Sequence, residues 1–170
     1  GIPLAIARPF LQRTGMLGQG GGTVHHIAVL DSSYSMGYRD GGAQSAFDKG
    51  RTLIGRLLER LEQDKEHGPK VTLVSAGVHP RFLVQQDLNL QTARNQWLQL
   101  QKPEDAASDL GEAMLQVANL VETGGDADAV VYLFTDLQAR GLGKALQAQQ
   151  APAAAAPEFK DTLRDVVERL

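Results

Sequence analysis

The chain has 170 residues, of which 42% are hydrophobic and 22% charged, with a formal net charge of −3 and no cysteine. This composition is typical of one soluble globular domain, and the slightly acidic balance offers no basic surface for nucleic acid. The lack of cysteine excludes disulfides, thiolate metal ligands and a cysteine nucleophile.

The first 23 residues differ in composition from the rest. Residues 1–13 are apolar and then basic, and residues 14–23 are Gly-rich, which is typical of a linker. No apolar run reaches the roughly 18–20 residues of a membrane-spanning helix. The chain begins without Met and stops inside a helical pattern. We therefore interpret residues 24–170 as one domain and expect both ends to be cut from a longer protein.

Apolar periodicity then predicts alternating strands and helices. Residues 24–30 form an apolar, β-branched run between glycines and polar residues, as in a buried strand. Over residues 46–61, apolar residues recur at three- and four-residue spacing, as in an amphipathic helix. The same criteria predict further strands over 70–77, 80–86 and 129–136, and further helices over 90–101, 108–122 and 158–170.

This order of elements predicts an α/β fold with a doubly wound, mainly parallel sheet flanked by helices on both faces. Residues 80–86 follow the preceding strand after a very short connection, so we expect one short antiparallel edge strand there. In sheets of this kind, ligands bind beyond the carboxyl ends of the strands. The residues that directly follow the strands are therefore the candidate functional residues.

Acidic and hydroxyl side chains follow two of these strands. Asp31, Ser33 and Ser35 come at the end of the first, and Asp136 ends the strand 129–136. If the two strands are neighbours, the two carboxylates lie close together and repel each other unless a cation is present. Carboxylate and hydroxyl oxygens are ligands for Mg²⁺. The alternative is a cluster of turn and capping residues, because Asp and Ser favour both.

Ser108 also has two interpretations. It stands at the start of the helix predicted over 108–122, where serine is a favoured N-cap. Its hydroxyl is equally suited to give a further oxygen ligand to the ion. The two roles are compatible with each other.

Three segments together resemble a known site. They are D-S-S-Y-S at residues 31–35, S-D-L-G at 108–111 and V-Y-L-F-T-D at 131–136. In this order they resemble the metal-ion-dependent adhesion site of a von Willebrand factor type A domain. The resemblance implies a Rossmann-like fold whose last strands are missing from this chain. It also implies five metal-site residues, namely Asp31, Ser33, Ser35, Ser108 in place of the family's threonine, and Asp136.

Shorter segments resemble one branch of that family. P-L-A-I-A-R-P-F-L before the domain, S-Y-S-M-G in the first loop and F-T-D-L-Q at the third parallel strand are similar to bacterial BatA-like proteins. Those proteins carry membrane helices before the type A domain. The resemblance implies that residues 1–23 are the end of a truncated membrane-helix segment with its linker. It further implies a membrane-anchored protein with the domain on the periplasmic side, while this fragment is soluble.

The function implied by the resemblance is protein binding rather than catalysis. Mg²⁺ or Mn²⁺ in the site would accept a Glu or Asp carboxylate from a partner protein as its last ligand. One alternative is a metal-dependent hydrolase or phosphotransferase. A phosphoaspartate enzyme, however, needs a second carboxylate two residues after the first, where Ser33 stands, and a nearby lysine. A second alternative is a scaffold with a vestigial metal site.

Four other residues near this region invite interpretation. His25 and His26 lie on opposite faces of a strand, so they cannot share one ion and are interpreted as structural. Tyr34 and Tyr38 flank the predicted ligands. They either line a recognition surface or pack against the loop.

Overall fold

A computed structural model describes residues 5–13, 24–39, 44–64, 69–100, 102–124 and 128–136. In these residues, five strands form one sheet in the order β1-β5-β2-β3-β4. The strands are β1 (Ala5–Arg13), β2 (Val24–Asp31), β3 (Lys70–Ala76), β4 (Pro80–Asp87) and β5 (Asp128–Thr135). The helices are α1 (Ala46–Gln63), α2 (Leu90–Leu98) and α3 (Leu110–Thr123), and a 3-10 turn covers Tyr34–Gly37.

The centre of the sheet is parallel, as predicted. β2 pairs in parallel with β3 on one side and with β5 on the other. β4 is the predicted antiparallel edge strand, and it joins β3 after only three residues. Strand β2 therefore has a parallel neighbour on each side, and its carboxyl end lies at the middle of the sheet edge.

Strand β1 differs from the sequence-based expectation. Ala5–Arg13 lies in the range predicted as the end of a membrane helix, but it pairs antiparallel with β5 at the other edge. The pairing is irregular between Ala7 and Phe10, where Arg8 and Pro9 stand, because proline cannot donate to the ladder. Among the described residues, no helix is both long and apolar enough to cross a membrane.

Helices pack against both faces of the sheet. Leu30 and Phe134 lie in one apolar cluster with the buried side of α1 and with Trp97 of α2. Val29 and Leu133, their neighbours along the strands, lie in a second cluster with the buried side of α3. Successive side chains of a strand point to opposite faces, so both faces of the central strands are covered. The two layers of helices hold the ends of β2 and β5 in place.

Helix α1 begins where its sequence provides a cap. Ser45 accepts a hydrogen bond from the Asp48 amide, and the Asp48 carboxylate accepts one from the Ser45 amide. This reciprocal pair satisfies two backbone donors that the first helical turn leaves open. The predicted helix over 158–170 and the predicted linker over 14–23 lie outside the described residues.

The two histidines of β2 bond to different side chains. Nε2 of His25 lies 2.6 Å from Thr72 Oγ1, and Nδ1 of His26 lies 3.0 Å from the Tyr132 hydroxyl. The His26 ring also stacks on Tyr132 at 6.0 Å between centroids. Burial, and secondly the neighbouring charge of His25, lower the pKa of His26 to about 4. Both contacts agree with the structural interpretation of this pair.

Two glycines of α1 give a test of this packing. A Cβ on Gly50 would lie 2.6 Å from Leu30 Cδ1, whereas a Cβ on Gly55 would meet nothing within 4 Å. Gly50→Ala should lower the free energy of unfolding by about 1–3 kcal/mol through overpacking. Gly55→Ala should raise it by about 0.5–1 kcal/mol, because alanine favours the helix.

Urea denaturation of the two variants beside the parent chain measures both effects. The two substitutions add the same methyl group to the same helix, so they differ only in what that methyl group meets. Equal stability of the two variants would contradict the close packing of α1 on β2.

Candidate metal centre

The two predicted aspartates lie at the same edge of the sheet. Asp31 ends β2, and Asp136 directly follows Thr135, the last residue of β5. The strands are parallel neighbours, with Leu30 level with Phe134. The condition for the two carboxylates to lie close together, that their strands are neighbours, is therefore met. Both aspartates are buried, with 0% and 4% of their surface exposed.

Three hydrogen bonds from three parts of the chain converge on the Asp31 carboxylate. Oδ1 accepts from the Ser33 amide at 2.9 Å and from the Ser108 hydroxyl at 2.8 Å. Oδ2 accepts from the Thr135 hydroxyl at 2.8 Å. The bond from the Ser33 amide is the local turn contact that the capping interpretation predicts. The bonds from residues 77 and 104 positions away are not explained by a turn.

The serine hydroxyls of the first loop make two different sets of contacts. Ser33 Oγ and Ser35 Oγ lie 3.0 Å apart, and the Ser33 side chain makes no capping bond to the 3-10 turn that follows it. Ser32 instead bonds to Ser75 Oγ at 2.6 Å, while Tyr34 is exposed. The two predicted ligands Ser33 and Ser35 are therefore paired with each other, whereas Ser32 and Tyr34 are directed elsewhere.

The segment before α3 holds Ser108 against Asp31. Its backbone bonds to the first loop twice, from the Glu104 amide to Ser32 O at 2.8 Å and from the Tyr34 amide to Ala106 O at 3.0 Å. A third bond joins the Asp109 amide to Gly77 O at 3.1 Å. These contacts fix the segment over the ends of β2 and β3.

The interpretation of Ser108 as the N-cap of α3 is wrong. The cap is Asp109, whose carboxylate accepts a hydrogen bond from the Glu112 amide at 3.0 Å. Both residue types are good caps, so the sequence alone did not separate two adjacent candidates. Because Asp109 caps the helix, the Ser108 hydroxyl is directed to Asp31.

Hydrogen bonds connect four of the five predicted metal-site residues. Ser35 contacts Ser33 through the hydroxyls, and both Ser33 and Ser108 donate to Asp31. Asp136 joins them at the same edge through its position after Thr135. One of its carboxylate oxygens, Oδ2, is buried and receives no hydrogen bond from the described residues, although the residue has other interactions.

Sequence reasoning missed two residues that position this cluster. Thr135 donates to Asp31 from the end of β5, and Glu104 accepts from the Val78 amide at 3.2 Å beside the first loop. A Cβ on Gly77 would overlap the Glu104 carboxylate, so this approach depends on glycine. The available signal for Thr135 was its place immediately before Asp136, but threonine at a strand end is also an ordinary β former.

The donor set fits a hard divalent cation. It comprises two carboxylates and three hydroxyls, all oxygen donors of the type that Mg²⁺ and Mn²⁺ accept. Within the described ranges, no group of three or more His, Cys, Asp or Glu side chains is placed to hold a metal ion. Any metal at this edge would therefore depend on serine hydroxyls as well as on the two aspartates.

Comparison with known proteins assigns the fold to a family. The family described as von Willebrand factor type A domain matches residues 26–139. The chain belongs to this family. The match contains all five predicted metal-site residues, and domains of this family are generally protein-interaction modules. No curated protein matches the chain.

Solved structures share the fold at low sequence identity. The type V pili tip protein Mfa5 of Porphyromonas gingivalis matches in two structures. The three N-terminal domains match with a TM-score of 0.54 and 17% identity, covering 64% of this chain and 19% of that one. The structure of the vWF domain alone matches with a TM-score of 0.51 and 19% identity, covering 64% of this chain and 36% of that one. The type A domain described here thus spans about a fifth to a third of those chains.

A further match is the conserved hypothetical protein BatB from Bacteroides thetaiotaomicron. It has a TM-score of 0.45 and 23% identity, covering 56% of this chain and 45% of that chain. At these identities the two Mfa5 matches show the shared fold.

The Thr135 hydroxyl offers a test of the network around Asp31. Thr135→Val keeps the shape but removes the donor to Asp31 Oδ2. It should therefore lower the free energy of unfolding by about 1–3 kcal/mol, the usual cost of a buried acceptor left without its donor. Thr135→Ser keeps the hydroxyl and should lose clearly less. Denaturant unfolding measures both variants. If the valine variant is as stable as the serine variant, the hydrogen bond from Thr135 to Asp31 does not stabilise the fold.

Proposed function

We propose that this type A domain binds Mg²⁺ or Mn²⁺ and uses the ion to hold a carboxylate of a partner protein. Asp31, Ser33, Ser35, Ser108 and Asp136 would hold the ion. The observation that carries the proposal is the position of Asp31. Its buried carboxylate accepts hydrogen bonds from the Ser108 hydroxyl at 2.8 Å and from the Ser33 amide at 2.9 Å, and the Ser33 hydroxyl pairs with that of Ser35.

The charge balance of these residues supports binding of an external acid. Two carboxylates would offset the charge of a divalent ion, and the three hydroxyls add no further negative charge, so the loaded site would not repel an incoming carboxylate. When bound, the ion supplies an open ligand position at the carboxyl ends of the strands. A Glu or Asp side chain from another protein is the chemical group that would complete such a site.

The surroundings favour binding over catalysis. Position 33, two residues after Asp31, holds a serine where a phosphoaspartate enzyme needs a carboxylate. The Ser33 hydroxyl bonds to Ser35 Oγ, whereas a nucleophilic serine requires an adjacent general base. Family membership supports an interaction role as well, and one protein that shares the fold is a pilus tip protein.

Metal binding can be measured on the 170-residue chain with a matched pair of variants. Mg²⁺ or Mn²⁺ should raise the melting temperature, and EDTA should reverse the rise. At a free cation concentration of 100 times the dissociation constant, the gain in unfolding free energy should be about 2.7 kcal/mol. Ser33→Ala should abolish most of this gain. Ser32→Ala removes the neighbouring hydroxyl, which bonds to Ser75 instead, and should keep it.

The same proteins test the carboxylate half of the proposal. In Mg²⁺, N-acetyl-glutamate amide should shift the backbone NMR signals around Ser33, and the uncharged glutamine analogue should not. Both EDTA and Ser33→Ala should remove the effect. If neither cation stabilises the parent chain, or if Ser32→Ala and Ser33→Ala behave alike, the proposed metal site is wrong.

We also propose that the longer protein is membrane-anchored and of the BatA-like type, with the domain on the periplasmic side. The support is the similarity of the flanking segments described above. Since Ala5–Arg13 pairs as a strand, the anchor would precede residue 5. The full-length protein should stay in the membrane fraction after alkaline carbonate washing, and protease added to spheroplasts should cut the domain. Release by the wash, or protection from protease, would contradict this.

A further inference from the structure

A groove opens directly beside the candidate metal centre. Its volume is about 480 Å³, and Ser35, one of the predicted metal ligands, forms part of its lining. A molecule seated in the groove would therefore lie next to the ion site. Two segments of the chain line the groove, a first wall with Tyr34, Gly37 and Tyr38 and a second wall with Pro103, Glu104 and Asp105.

Two tyrosine rings of the groove are exposed to solvent on a backbone that hydrogen bonds hold in place. Tyr34 and Tyr38 are 65% and 64% exposed, whereas Met36 between them is fully buried and anchors the turn. The Tyr34 amide bonds to Ala106 O at 3.0 Å and the Tyr38 amide to Ser35 O at 3.2 Å. Tyrosines presented in this way offer contact area at a small entropic cost. Of the two interpretations of these residues, a recognition surface fits their exposure better than packing against the loop.

The second wall is acidic. Glu104 and Asp105 both line the groove, and none of the lining residues in the described part of the chain is basic. Arg39, the next residue after the tyrosine wall, forms an ion pair with Asp48 at 3.6 Å instead. Glu104 is partly engaged by the Val78 amide, while Asp105 is exposed. Aromatic faces combined with carboxylates attract a cation and repel a second acid.

From this pairing of exposed tyrosines with carboxylates, we infer that the groove binds an arginine side chain of the partner protein. A guanidinium group can stack on a tyrosine face while it donates to a carboxylate, which an ammonium group does less well. The partner would then present an acid to the ion and an arginine to the groove. The acidic half of this motif rests on the proposed function, whereas the arginine half rests on the groove alone.

The inference can be tested by NMR on the 170-residue chain with N-acetyl-arginine amide as the probe. Its isosteric, uncharged analogue N-acetyl-citrulline amide is the control. In EDTA, the arginine probe should shift the amide signals of Tyr34, Tyr38 and Asp105 in a saturable way. The citrulline probe should bind at least about fivefold more weakly, because it loses both the cation–π contact and the ion pair.

Variants locate the binding in the groove. Tyr38→Ala and Asp105→Asn should each weaken the binding of the arginine probe about two- to fivefold. Leu88→Ala removes another exposed apolar side chain, outside the groove, and should leave binding unchanged. All three positions are exposed, so unchanged melting temperatures confirm that the variants remain folded.

The outcomes separate this inference from the proposed function. Arginine binding in EDTA, together with no effect of glutamate amide in Mg²⁺, would support the groove and reject the metal-dependent function. The reverse result would reject the groove. Equal binding of arginine and citrulline probes would also overturn it. So would concentration-dependent shifts of the same amides without a probe, because they would show that a second copy of the chain fills the groove.

Discussion

The site depends on the burial of one carboxylate at the end of the central strand. Asp31 is fully buried, and a buried charge is costly unless hydrogen bonds or opposite charges compensate it. The compensation comes from its own loop, from the segment before α3 and from the end of β5. These three segments are distant in sequence, so the Asp31 carboxylate links them only when the sheet and α3 are in place.

The sheet order explains why the Asp31 carboxylate lies beside side chains from neighbouring strands. β2 is flanked by parallel strands on both sides, so the ends of three strands face the same edge. Helices cover both faces of β2 and β5. Ser32 bonds sideways to Ser75 at the end of β3, whereas Thr135 bonds to Asp31 from the end of β5. The two neighbours of β2 thus hold the two sides of the first loop.

Much of this arrangement was predictable, and the exceptions have physical causes. The spacing of Asp31, Ser33 and Ser35 after an apolar run is visible in the sequence, and so is the parallel core. The cap of α3 was misassigned because Ser108 and Asp109 are both good caps and only tertiary contact directs Ser108 elsewhere. Strand β1 was missed because Pro9 interrupts its pattern. Its pairing depends on β5, some 120 residues later, and no local signal contains that contact.

One short segment serves both the candidate metal centre and the groove beside it. Residues 103–105 form a wall of the groove, and three residues further on Ser108 binds Asp31. Between them, the bonds of Glu104 to Ser32 and of Tyr34 to Ala106 lock this segment to the first loop. The first loop in turn carries Ser33, Ser35 and the exposed tyrosines. Because one hydrogen-bonded frame bears all of these groups, their separation is set by the backbone. A partner that contacts both places would therefore be selected by the spacing of its groups as well as by their charge.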